Sequence, residues 1–186
     1  MPFVVVYDAS ALYPNAQRDL LIRIAEAGLV QAKWTAEILD ELARARLRRN
    51  PELDPAKLER LKALMNDAVA DCLVWGYEPL VEGLKLPDPD DRHVVAAAIK
   101  AGAQVIVTTN LKDFPADELA EFNIEPKSPD DFVLDQISID DRVVYACVQD
   151  IANSRSNPPQ TAQDILAELE HIGLVASVAA LRTPPS

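Results

Sequence analysis

Apolar residues run without a break over Phe3–Tyr7, FVVVY, and again within Gln104–Thr108, QVIVT. Short runs this rich in β-branched residues read as strands covered on both faces. A weaker run near Ile124 predicts a third strand. Between them the apolar spacing becomes helical. Leu20, Leu21, Ile24 and Ala25 share one face over residues 17–28, and Gly28 ends that helix. Thr35 is placed to cap a helix running to about Arg49, where Asn50-Pro51 stops it. Asp54-Pro55 opens the next, which carries Leu58, Leu61, Leu64, Met65, Val69 and Leu73 at helical spacing. Residues 73–82 predict a short irregular or strand-like piece. Asp88-Pro89 opens an apolar helix through VVAAAIKAG, closed by Gly102. A short helix is expected at 116–122, and another begins at Ser128-Pro129. Strands separated by helices predict an α/β fold, a three-layer α/β/α arrangement around a central, mostly parallel sheet.

Beyond residue 136 the pattern is helical only. SIDDRVVYACVQDIANSR is amphipathic, NPP breaks it, and two shorter helices follow with Ile165, Leu166 and Leu169, then Leu174, Val175, Val178 and Leu181. The tail TPPS reads as unstructured. The expected organisation is an α/β domain over 1–135 and an all-α extension over 136–186.

Composition adds limits. About half of the 186 residues are hydrophobic and a quarter charged, which is ordinary for a globular chain. No apolar stretch approaches the ~20 residues that span a bilayer. The N-terminus lacks a basic segment and a small-residue cleavage site, so it reads as a strand and not as a signal peptide. A cytoplasmic protein with no membrane partner is expected. Cys72 and Cys147 lack metal-ligand or redox spacing and read as buried, reduced thiols. The net charge of −12 argues against a surface that coats nucleic acid. Yet Arg44, Arg46, Arg48, Arg49, Lys57, Arg60 and Lys62 crowd one region, as a solvated helical hairpin or as an RNA-binding surface; charge leaves both readings open.

Candidate chemistry lies in the acids. Ligands of parallel α/β sheets gather outside the carboxyl ends of strands. Asp8 follows the first strand; Asn110 and Asp113 follow the QVIVT strand. Either acid could merely cap the next turn. Of two neighbouring acids, the helical angle turns Glu41 toward the flank of the buried stripe of Ile38, Leu42 and Ala45, and turns Asp40 toward water. The bland alternative for Glu41 is an ion pair with Arg44 or Arg48. Asp88 suits a helix cap. Asp91 shares its helical face with Val94, Val95, Ala98 and Ile99, where a lone carboxylate is costly. A divalent cation or a backbone N–H could satisfy it. An oxygen-only donor set drawn from distant parts of a chain suits Mg²⁺. His93 falls about 200° from Asp91 and is left out of the chemistry; Trp34 and Trp75 are expected to serve packing.

These residues reach a known family. LPDPDDRHVVAAAIKAGAQVIVTTNLKDFP, with VVYDASAL and EILDELARA before it, resembles the PIN-domain family over about residues 3–135. NPPQTAQDILAELEHIGLVASVAALR is similar to the helical extension of larger VapC-type toxins. The resemblance implies metal-site and catalytic acids at Asp8, Glu41 and Asp91, a fourth position at Asn110 or Asp113, and supporting hydroxyls at Ser10 and Thr108. It implies an endoribonuclease using Mg²⁺ or Mn²⁺, in which water attacks phosphorus and leaves a 5′-phosphate. Arg44, Arg46, Arg48 and Arg49 are candidates for guiding the strand. It also implies a VapB-like antitoxin partner, a tRNA or rRNA substrate and a homodimer. A haloacid-dehalogenase-like phosphatase would need a second Asp where Ser10 stands. A weak or inactive PIN-like interaction module remains the alternative, because Asn110 dilutes the acid set.

Overall fold

Residues 2–183 are described by the computed structural model. Of the tail TPPS, residues 184–186 lie outside them. The first strand, β1 (Phe3–Tyr7), holds Val5, Val6 and Tyr7 fully buried, so both faces are covered. It is central because it lacks a polar face. On one side it pairs with β2 (Val30–Lys33), on the other with β3 (Val105–Val107), and β4 (Glu125–Lys127) lies beyond β3. All pairings are parallel, with Phe3 opposite Val30, Val5 opposite Val105 and Val105 opposite Glu125.

Parallel neighbours need long crossovers, and helices supply them. Between β1 and β2 run α1 (Ala9–Leu12) and α2 (Asn15–Glu26). Between β2 and β3 run α3 (Ala36–Arg49), α4 (Pro55–Ala68), α5 (Glu78–Val81) and α6 (Arg92–Ala101), and α7 (Ala116–Ala120) joins β3 to β4. The expected α/β architecture, a mostly parallel sheet flanked by helices, is the one observed. Two helix boundaries position the cleft at the sheet's carboxyl end. Thr35 caps α3 by accepting from Ile38 N at 3.0 Å, which fixes the start of the helix carrying Glu41. Gly102 ends α6 at φ 66°, a left-handed conformation that lets the chain turn into β3.

The strand β2 is an addition to the expected elements. Its four residues, VQAK, alternate buried and partly exposed, too short a span to show a period. The piece around 73 extends this edge by one bridge, with Trp34 N donating to Cys72 O and Val74 N to Trp34 O, both at 2.9 Å. Trp34 is buried, as expected of a packing residue; Trp75 is 69% exposed, which corrects its expected packing role. Cys72 and Cys147 are buried free thiols.

The C-terminal helices are α8 (Pro129–Ile139), α9 (Asp141–Ser154), α10 (Ala162–His171) and α11 (Val175–Arg182). The division expected at 135/136 falls within α8, and the extension shares one continuous apolar core with the sheet. α9 lies against α2, and α11 against α8. Tyr7 marks the join: its hydroxyl donates to Leu21 O at 2.9 Å, and its ring stacks on Trp34 and meets Phe132 of α8 edge-on, with centroids 5.8 Å apart. The Asp130 carboxylate accepts from Ala176 N at 3.0 Å and Ser177 N at 2.9 Å, capping α11, whose own N-cap residue Leu174 makes no side-chain cap bond. No helix of the described residues is long and apolar enough to cross a membrane.

Phe132 is 1% exposed, so Phe132→Ala should leave a cavity and cost about 3–5 kcal/mol. Urea unfolding should report this as a lower midpoint at unchanged slope; a shift equivalent to under ~1 kcal/mol would mean that this join is not an integral part of the core.

Candidate metal and nuclease site

Because β1 and β3 are neighbours, the residues leaving their carboxyl ends meet. Asp8 N donates to Val107 O at 3.0 Å, and the Asp8 side chain bonds to the hydroxyl of Thr108, the residue after β3. Its Oδ2 accepts from Ser10 Oγ at 2.7 Å and Thr108 Oγ1 at 2.9 Å, and its Oδ1 accepts from Ala9 N at 2.8 Å. Thr109 N donates to Ser10 Oγ at 3.1 Å and Asn110 N to Thr108 Oγ1 at 3.0 Å. Each hydroxyl therefore accepts from the main chain and has its single proton left for Asp8. Asp8 is 4% exposed. Burial pushes its carboxyl pKa up, the two hydroxyls pull it down, the charge of Glu41 raises it again and Ala9 N lowers it; the balance stays above the ordinary value.

Glu41 and Asp40 separate as their helical angles imply. Asp40 is exposed and pairs with Lys62 at 2.7 Å. Glu41 is half-buried, but neither Arg44 nor Arg48 takes it. Its Oε1 lies 2.6 Å from His93 Nε2. An ionised carboxylate only accepts, so Nε2 carries the proton. His93 is 4% exposed; its Nδ1 is buried without a partner, 3.7 Å from Glu37 Oε2, and Glu37 in turn accepts from Tyr77 Oη at 2.9 Å. Burial disfavours the imidazolium, yet the bond to Glu41 and the charges of Glu41, Glu37 and Asp8 outweigh it and hold the pKa above the usual histidine value.

The helical angle that set His93 away from the site is thus corrected: the ring reaches Glu41. Asp91, the origin of the helical angles that excluded it, ends a 3-10 turn, Pro89–Asp91, and α6 begins only at Arg92. Angles measured from Asp91 at the α-helical period do not carry into α6. A histidine two residues after the acid pair Asp90-Asp91, at the start of an otherwise apolar helix, is the signal that could have found it.

Asp91 itself is half-exposed and not embedded in an apolar face. Its carboxylate makes no hydrogen bond or ion pair among the described residues, whereas Asp88 is engaged as a cap, accepting from Asp90 N at 2.9 Å. Partial burial, then the charges of Asp8, Asp88, Asp113 and Glu41, push the Asp91 carboxyl up to about 7. A cleft of about 290 Å³ is lined by Asp8, Ser10, Glu41, Asp91 and Asn110, with Tyr13 and Arg48 at its wall. Asp113 is outside that lining, at the end of the turn Leu111–Asp113, near enough to repel Asp91. Of the four arginines, Arg48 alone reaches the cleft; Arg44 is exposed, and Arg46 and Arg49 line a different cavity.

Among the described residues no three His, Cys, Asp or Glu side chains form a ready-made chelate. The donors around the cleft nevertheless fit a hard divalent cation. They are oxygens, one acid is unpaired among the described residues, and partial burial together with the repulsion of its neighbours raises its pKa, the second of which an intervening cation would relieve. In metal-free protein, Asp91 should titrate near 7 by carboxyl NMR, and Mg²⁺ should lower that value. Its folded pKa exceeds the unfolded value of about 3.9. The stability it contributes is therefore full below pH ~4 and is lost as pH rises through about 7. A carboxyl that titrates near 4 in the folded protein would contradict the crowding.

A PIN domain model matches residues 4–112, a span that holds Asp8, Glu41, Asp91 and Asn110, and a VapC50 C-terminal domain model matches residues 129–183. The chain is 36% identical over 103 residues to the protein named "Putative ribonuclease VapC50" of Mycobacterium tuberculosis (strain ATCC 25618 / H37Rv). The match takes in 55% of this chain and 60% of that relative, so it spans about three-fifths of the relative's length. No solved structure matches the chain at a significant level. With more than half of its length matched by one family model, and the acids of the cleft inside that match, the chain belongs to the PIN-domain family.

Proposed function

We propose that the chain is a divalent-metal-dependent endoribonuclease, the toxin of a VapBC-like type II toxin–antitoxin pair. The observation that carries this reading is the convergence of Asp8, Glu41 and Asp91, with Asn110, on one cleft at the carboxyl end of the sheet. The family, the VapC50-type C-terminal match and the name of the relative support it. Asp8, Glu41, Asp91 and Asn110 would hold Mg²⁺ or Mn²⁺, with Asp113 adding charge from outside. Bound there, the ion would supply a hydroxide nucleophile at neutral pH and charge neutralisation for the phosphate.

The chain's own residues set the rest. Ser10 and Thr108 fix the Asp8 carboxylate by hydrogen bonds whose direction the main chain dictates. His93 holds one oxygen of Glu41, a residue that lines the cleft. Arg48 offers a cation at the rim for an incoming phosphate. In this reading residues 1–135 form the nuclease and 136–186 its helical extension, in a cytoplasmic homodimer acting on tRNA or rRNA. A VapB-like antitoxin would cover the cleft and reach its acids with a basic side chain.

Purified chain free of antitoxin should cleave structured RNA with Mg²⁺ and stop with a chelator. Asp8→Asn should reduce cleavage more than about 100-fold, beyond what removing a group that merely supports a metal ligand causes. Equal cutting by both forms, or none by either, overturns the enzyme reading. In the second case Mn²⁺ calorimetry tells whether the interaction module that remains still binds a metal, since Glu41 is engaged by His93 and the fourth position is an amide. His93→Ala should weaken Mn²⁺ binding roughly 10–100-fold; an unchanged affinity would remove His93 from the support of Glu41.

A further inference from the structure

Between α2 and α4, away from the acidic cleft, lies a cavity of about 620 Å³. Its walls carry Arg18, Arg23, Arg46, Lys57 and Arg155 against only Asp19 and Glu26. In a chain of net charge −12, this is a local excess of cations that the surrounding acids leave uncompensated.

The side-chain geometry sharpens it. Arg18 and Arg46 both donate to one oxygen, Asn15 Oδ1, at 2.8 and 3.0 Å. A neutral amide therefore holds two guanidinium groups side by side. The other bonds of Arg18 go to main-chain carbonyls, Leu12 O at 3.0 Å and Tyr13 O at 3.3 Å. Arg155, immediately after α9, faces the same space. Among the described residues its carboxylate neighbour is Asp19 at 3.9 Å, and Asp19 is already bonded to Arg23 at 2.9 Å. The Nε atoms of Arg46 and Arg155 are buried and without partners among the described residues. Burial and the charge of Arg46 pull Arg18 down to about 10; Asp19 works against them and Arg155 with them. Like charges gathered where water is partly excluded call for an anion.

The cavity also has a direction. Asn15 and Arg46 line a smaller neighbouring cavity of about 260 Å³ with Tyr13 and Arg49, and Tyr13 lines the acidic cleft as well. Cavities that share Asn15 and Arg46, and then Tyr13, thus lie in succession between the guanidinium cluster and the carboxylates. Guanidinium groups arriving from three directions, on α2, α3 and the residue after α9, can surround a tetrahedral oxyanion, Arg18 adding charge and Arg46 and Arg155 adding donors that are not yet filled.

We propose that Arg18, Arg46 and Arg155 form a phosphate-binding pocket that anchors a backbone phosphate of a single-stranded RNA whose neighbouring segment runs past Tyr13 into the acidic cleft. The strand's passage into the cleft rests on the ribonuclease reading; the phosphate pocket does not. Since Arg155 follows α9, the helical extension contributes directly to substrate holding.

The test uses the full chain in EDTA, where nothing is cut. Inorganic phosphate and an oligouridylate should each shift the Nε–Hε resonances of Arg46 and Arg155. The R46Q/R155Q variant should bind the oligouridylate about 10-fold more weakly, and its log–log salt slope should fall by about 0.7 for each phosphate no longer neutralised. R155Q alone, at a partly exposed position, keeps the test open should the double variant not fold. Unshifted resonances with unchanged affinity and slope overturn the pocket. A response to a glutamate-rich peptide but not to phosphate also overturns it and assigns the cavity to a protein partner. Phosphate binding in a chain that never cleaves RNA leaves the pocket standing and refutes the nuclease reading alone.

Discussion

A carboxylate at the end of a buried parallel strand has few ways to remain charged, and the architecture around the cleft follows from solving that problem at Asp8. Water is excluded, so donors must come from the protein. The neighbouring strand end provides them because β1 and β3 are adjacent in the sheet. Thr108 arrives from β3 and Ser10 from the first turn after β1, and both are oriented by main-chain N–H groups of the same loop. That loop carries Asn110 to the cleft rim. One strand pairing thereby fixes the position of two of the cleft's donors and the hydroxyls that serve them.

The acids brought by helices are less constrained. Glu41 depends on where Thr35 starts α3, and its rotamer depends on His93 reaching across from α6. Asp91 depends on a turn that Asp88 and Pro89 shape before the helix proper begins. Without a partner among the described residues, it is free to respond to a bound cation, while Asp8 and Glu41 are already tethered. The cleft thus combines two held carboxylates with one loose one.

Much of this is legible in the sequence because the decisive signals are local. FVVVY followed by Asp, the Gly102 stop before QVIVT, and the opposite angles of Asp40 and Glu41 each depend on a few neighbouring residues. What escapes the sequence depends on distance or on exact backbone geometry. The strand β2 is recognisable only beside β1. His93 meets Glu41 across fifty-two positions, and its angle refers to a residue that a 3-10 turn sets out of phase. Trp75 is aromatic, but the short bridge at Leu73 ends the sheet edge before it can be covered. The pairing of Arg18 with Arg46 also joins distant segments, through an asparagine with no obvious sequence signature.

The way α8 holds α11 has a further implication. Asp130 grips the peptide N–H groups of residues 176 and 177, and the bond to residue 176 forms whatever side chain that residue bears, whereas the buried Ser177 adds its own hydroxyl to Asp130 O. Val175 and Ala176 point outward at that corner. The outer face can drift in composition, acquiring or losing a binding preference, without loosening the helix. Proline at 176 or 177 is the exception, for it would bring no hydrogen for Asp130 to take.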